Sequence, residues 1–151
     1  MMISSDYWGM VILVAVDRSD RAKHVVEEAA ELAQAFEEPL QIIHIMTRRE
    51  FLDIETTSVK KDNSPVSLDK IRAEAARHAE NAASDITCSY ETIGRVGDVS
   101  AEVTRYAEEQ GVRYIVVGGR KRSPAGKAVF GSKTQSILLE ADRPVVAIMG
   151  E

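Results

Sequence analysis

Two stretches of this 151-residue chain carry residue types suited to recognising an anion. The first is Met10–Asp17, MVILVAVD, which sets the carboxylate of Asp17 directly behind an apolar run and just ahead of a helix start at Ser19 or Asp20. The second begins at Val116 and reads VVGGRKRSPAGKAVFGSKTQ. Its glycines, Gly118 and Gly131 among them, permit close approach of a ligand to the backbone. A helix opening near Gly131-Ser132 offers unpaired amides and the positive end of its dipole to a phosphate. The charge pattern points the same way. Residues 1–110 carry 21 acidic and 12 basic side chains, while residues 111–151 carry 3 acidic and 7 basic ones. Between Gly111 and Leu139 there is no carboxylate. On a chain of net charge -5, a local cationic, glycine-bearing stretch suits a compact anion site better than a nucleic-acid surface. A solvated basic loop is the plainer alternative.

Other chemistries find less support. A phosphate loop needs G-x-x-x-x-G-K-[ST], whereas Gly126 to Gly131 is followed by Ser132-Lys133-Thr134, with the lysine one place late. The dinucleotide pattern G-x-G-x-x-G is absent after the first apolar run. No spacing brings serine, histidine and carboxylate together as a nucleophilic set. Cys88, the single cysteine, cannot form an internal disulfide, and three scattered histidines offer no zinc framework. His44 lies inside an apolar strand and reads more readily as a hydrogen-bonded core residue than as a ligand or base. His24 and His78 lie on helices and read as solvated. Asp17 has its own plainer role as a loop-bonding or capping carboxylate, and Gly118 and Gly131 as turn or packing residues.

The elements that position these residues follow from hydrophobic pattern. Apolar residues make up 44% and charged residues 28%, the balance of a globular domain. MVILVAV (10–16), LQIIHIM (40–46), YIVVG (114–118) and PVVAIM (144–149) are short and nearly continuously apolar, as strands buried on both faces are. ITCSYET (86–92) alternates, which suits an edge strand. Helical stripes fall between them: one after Ser19 or Asp20, one capped by Ser67, one opened by Asp98 or Ser100 and stopped by Gly111, and one over Ser132–Glu140. Alternating strands and helices predict an α/β fold, a single doubly wound domain with helices on both faces of a mostly parallel sheet. Residues 1–9 read as an N-terminal extension, 10–151 as the domain, and 47–66 as a flexible insert loop. The longest apolar run, Met10–Val16, is too short to span a bilayer and has no cationic leader. A cytoplasmic protein without membrane or nucleic-acid partners is expected.

From about Met10 to Met149 the chain resembles a universal stress protein domain. The resemblance rests on the V-D end of the first strand with Ser19 two places on, and on the I-H-I end of the second. It rests also on Gly94 and Gly97-Asp98 before the third helix, the V-V-G strand end, the late Gly-Ser opening a helix, and the final R-P-V-V-A-I. It implies a five-stranded parallel sheet of order 3-2-1-4-5 and a homodimer through the last strand, here Pro144–Met149. One subgroup of this family binds ATP through G-x2-G-x9-G-[ST]. Here that motif reads Gly118, two residues, Lys121, nine residues, Gly131-Ser132, so Lys121 stands where the subgroup has glycine. The resemblance implies an adenine-nucleotide site made of Ala15, Asp17, Ile45, Val117, Gly118, Lys121, Gly131, Ser132 and Lys133, with Mg2+ accompanying ATP. Asp17 would meet ribose or adenine, Ile45 and Val117 would bracket the base, and Gly131 to Lys133 would present amides to phosphates.

The leading expectation is therefore a stress-response regulatory protein that binds ATP, ADP or AMP at the ends of the first and fourth strands. Two alternatives stay open: a dimeric interaction module that has lost nucleotide binding, and a slow ATP-hydrolysing enzyme.

Overall fold

A computed structural model describes residues 10–62, 67–121 and 128–150 of the chain. Its strands are β1 (Ile12–Ala15), β2 (Leu40–Met46), β3 (Tyr90–Val96), β4 (Tyr114–Lys121), β5 (Ala128–Val129) and β6 (Val145–Gly150). Its helices are α1 (Ala22–Phe36), α2 (Arg48–Asp62), α3 (Leu68–Ala82), α4 (Val99–Gln110) and α5 (Ser132–Glu140). Five strands pair in parallel in the order β3-β2-β1-β4-β6, the expected 3-2-1-4-5 arrangement. The two-residue β5 adds antiparallel to the end of β4, Lys121 facing Ala128.

Successive strand residues point to opposite faces, and this divides the core in two. Ile12, Val14, Leu40, Ile42 and Val116 pack against α1 and α3 through Val26, Ala29 and Ala79. Leu13, Ile43, Ile45, Ile115 and Val117 pack against α4 and α5 through Val103 and Ile137. Ile12, Leu13 and Val14 lose all exposure, and each such side chain contributes about 1.5–3 kcal/mol. Short side chains on α1 and α3 keep these helices close to the sheet. Gly94 marks the closest approach, since a Cβ there would lie 2.1 Å from the Arg72 carbonyl oxygen.

Several expected helix ends form as read. The Ser67 Oγ accepts from the Lys70 N–H, Asp98 Oδ2 accepts from the Ala101 N–H, and Gly111 adopts φ 62° at the end of α4.

Four local readings are corrected. The edge strand is Tyr90–Val96 rather than 86–92, because Gly94 continues the strand beneath α3 instead of ending it. The 47–66 segment, expected as a loop, carries α2 over Arg48–Asp62; Phe51 and Ile54 dock it on Met46, Ile71 and Ala75. α1 begins after Arg21 without a side-chain cap, since Asp17 rather than Ser19 or Asp20 makes the local bond. The last strand is half-buried at every position because it forms the sheet edge. Residues 1–9 lie outside the described residues.

Candidate functional site

The chain leaves β1 toward β2 on one side, while β4 lies on the other, and the strand order reverses between them. At that switch point, at the carboxyl ends of the strands, lies a cleft of about 370 Å³. The loop after β1, the ends of β2 and β4, and the first turns of α2 and α5 enclose it.

Eight of the nine residues singled out in the sequence line this cleft: Ala15, Asp17, Ile45, Val117, Gly118, Gly131, Ser132 and Lys133. Lys121 differs. Its backbone ends β4 opposite Ala128, and its side chain lies outside the described residues.

Asp17 is exposed at the mouth. Its Oδ1 accepts from the Ser19 N–H at 2.8 Å, so it does the loop work its position suggested. Among the described residues no hydrogen bond engages Oδ2. Ile45 and Val117 belong to the core and present apolar wall rather than mobile side chain.

The two glycines separate in role. At Gly118 a Cβ would meet Val25 Cγ2 at 3.0 Å, so packing of α1 on β4 already favours glycine. Gly131 has φ -64°, which any residue adopts, and a Cβ there would meet nothing within 4 Å among the described residues. Neither backbone nor packing among the described residues asks for glycine at this place. Gly131 also N-caps α5 with no side-chain bond, and the first helical bond runs from the Gln135 N–H to its carbonyl at 2.9 Å. The amides of Ser132, Lys133 and Thr134 precede that bond and have no partner within the helix. The first turn carries no acidic residue, and Lys133, Arg18, Arg21 and Arg120 all line the cleft. The end of α5 and these cations make the cleft suited to an anion.

Two further residues, His44 and Glu50, reach the cleft from the β2–α2 junction. His44 is the buried core residue its setting suggested, and its Nδ1–H donates to the Val16 carbonyl at 2.9 Å. Glu50 was missed, because 47–66 shows no clear hydrophobic period. A signal was present nonetheless: Thr47-x-x-Glu50 is a capping-box spacing, and Thr47 Oγ1 accepts from the Glu50 N–H. His78 on α3 is not solvated as expected. Its ring centroid lies 5.0 Å from that of His44. Burial first, then the His44 ring and the Arg18 and Arg77 charges, push its pKa below the ordinary 6.5.

Among the described residues no group of three or more His, Cys, Asp or Glu side chains could hold a metal ion, and no helix is long and apolar enough to cross a membrane.

The profile of the universal stress protein family matches residues 10–148. Universal stress protein YxiE of Bacillus subtilis is 26% identical over 91% of this chain and 97% of its own. The solved universal stress protein from Archaeoglobus fulgidus is 30% identical, covering 92% of this chain and 98% of its own, with a TM-score of 0.61. A universal stress protein from the same organism, solved in complex with dAMP, is 22% identical over 92% of this chain and 97% of its own, with a TM-score of 0.58.

Proposed function

Because the chain belongs to the universal stress protein family, we propose that it is a regulatory stress-response protein whose cleft binds an adenine nucleotide. Gly131 carries this reading. A residue free of backbone demand, and of packing demand among the described residues, at an uncapped helix start beside the cleft suits the close passage of a phosphate chain. The homologue in complex with dAMP supports the ligand class. In this arrangement Asp17 Oδ2 accepts from a nucleoside hydroxyl or amine. Ala15, Ile45 and Val117 flank the base, Gly118 passes the ribose, and the Ser132 and Lys133 amides meet phosphate. A Mg2+ ion accompanying ATP would ride on phosphate oxygens.

The protein also forms a homodimer through Pro144–Met149. β6 is a half-buried edge whose outer side no strand covers among the described residues, and a twofold axis lets it pair with its own copy. A second reading, an interaction module without nucleotide, is favoured by Lys121 at the motif's middle glycine.

Gly131→Ala tests the leading reading. Its thermal midpoint should stay unchanged while calorimetric affinity for ATP falls about tenfold, the worth of one charge-assisted hydrogen bond. Wild-type protein that binds neither ATP nor AMP would establish the second reading instead.

A further inference from the structure

His44 and Glu50 pose a chemical problem that nucleotide binding does not solve. The Val16 carbonyl can only accept, so His44 Nδ1 carries a proton and donates it. In the neutral ring Nε2 is then a bare lone pair. It faces Glu50 Oε2 at 3.9 Å, and a carboxylate oxygen also offers only lone pairs. Both atoms are shielded from solvent and neither makes a hydrogen bond among the described residues. Two acceptors buried against each other carry an unmet desolvation cost, and one proton placed between them meets the need of both.

We infer that His44 and Glu50 form a proton-operated clasp: a proton taken up at His44 Nε2 closes a hydrogen-bonded ion pair with Glu50 and fixes the start of α2 against the end of β2. When the proton leaves, the facing lone pairs repel and α2 loosens at the rim of the cleft. Atoms balance simply, because a solvent proton is gained or lost and no other bond changes.

The surroundings direct the proton to His44. From α2 comes Glu50; from the loop after β1, Arg18, whose guanidinium lies 3.9 Å from the same Glu50 oxygen. From α3 comes His78, with its Nε2 3.9 Å from Glu74. The residue after β1 supplies the Val16 carbonyl, and Gly94 stands opposite on β3. His78 is the competing site, but Glu74 is already held by two bonds from Arg77, at 2.6 and 3.1 Å. Burial first, then the His44, Arg18 and Arg77 charges, disfavour the charged form of His78, and two adjacent imidazoles resist double protonation. Arg18 opposes the clasp by sharing Glu50, so closure is graded rather than absolute. Among the described residues Phe51 and Ile54 are the apolar side chains that dock the helix it governs, and one ion pair at its start adds to that hold.

Hydrogen exchange on the full chain tests this at about pH 5 and about pH 8, the range over which imidazole changes charge. Protection factors, corrected for intrinsic rates, should be about tenfold higher in α2 at the lower pH, the size of one charge-assisted bond. Protection in α4 relative to α2 serves as the internal reference. In Glu50→Gln the amide donates to the neutral Nε2, so the difference in α2 should vanish. An α2 indifferent to pH in the wild type, or equally responsive in Glu50→Gln, overturns the clasp. Nitrogen chemical shifts of the wild-type histidines decide the matter should that variant not fold. Nε2 of His44 should carry a proton at the lower pH, and a His44 that stays neutral throughout overturns the proposal.

Discussion

At the amino ends of the strands, the polar side chains hold one another. The Tyr106 hydroxyl donates to Gln41 Oε1 at 2.9 Å, and Gln41 Nε2 donates in turn to Glu91 at 3.1 Å. Arg113 Nε donates to Glu38 Oε1 at 2.6 Å while its guanidinium stacks over Phe36 at 4.7 Å. At the carboxyl ends the pattern reverses. Among the described residues Asp17 keeps one oxygen without a bond, α5 starts without a side-chain cap, and Gly131 borders open space. Three buried side-chain atoms make no hydrogen bond among the described residues, and two of them, on His44 and Glu50, face each other here. The third, Glu38 Oε2, belongs to a carboxylate already held by Arg113. One end of the sheet is finished as structure, and the other keeps unmet bonding capacity for a ligand or a proton.

The contrast breaks most visibly at the finished end. Arg113→Ala strands a carboxylate that is only 9% exposed, and should cost about 3 kcal/mol in urea unfolding, toward the lower range for a broken buried pair because Arg113 is partly exposed. A loss below about 1 kcal/mol would mean that this pair is ordinary surface electrostatics. Its nucleotide affinity should match the wild type.

Asp17→Ala should do the reverse. Stability should fall by about 0.5–1.5 kcal/mol, the worth of the bond to the Ser19 N–H, while calorimetric affinity for ATP, ADP and AMP falls about ten- to a hundredfold. A variant that binds ATP normally would place the nucleoside elsewhere.

Lys121→Gly sharpens the comparison by a few-fold effect whose sign matters. A lysine that serves phosphate makes the variant weaker for ATP than for AMP and the wild type sensitive to salt, as screening requires. Tighter ATP binding by the variant would show a side chain that blocks the phosphate path.

The smallest effect is in acid. The His78 pKa is lowered in the fold, so below the ordinary 6.5 the unfolded chain binds more protons than the folded one. Stability from this group is therefore complete above about 6.5 and is lost as pH falls through the folded value. His78→Gln should flatten that part of the urea midpoint against pH. The clasp has the opposite sign, since its contribution to α2 is present in acid and lost as pH rises.

Much of this was legible before any fold was known, because it depends on neighbours in sequence. Continuous apolar runs gave β1, β2 and β4; Ser67, Asp98 and Gly111 fixed helix ends through bonds that span three residues or a single φ; and Asp17 follows its strand whatever packs beside it. The cleft's location came from the same reasoning, since alternating elements force a switch point. Tertiary structure decided what depends on distant neighbours. Gly94 is a strand residue because the α3 backbone lies on it, and Gly118 serves packing because Val25 does. α2 escaped notice because its polar surface hides a docking edge of Phe51 and Ile54 that acquires meaning only beside Met46 and Ile71. His44 and Glu50 are six positions apart in a chain that bends between them. Whether a lone pair is satisfied is a property of its surroundings, and no periodicity or composition encodes that. Local rules can therefore write the elements and their order, but an unmet hydrogen bond exists only once the rest of the molecule has closed around it.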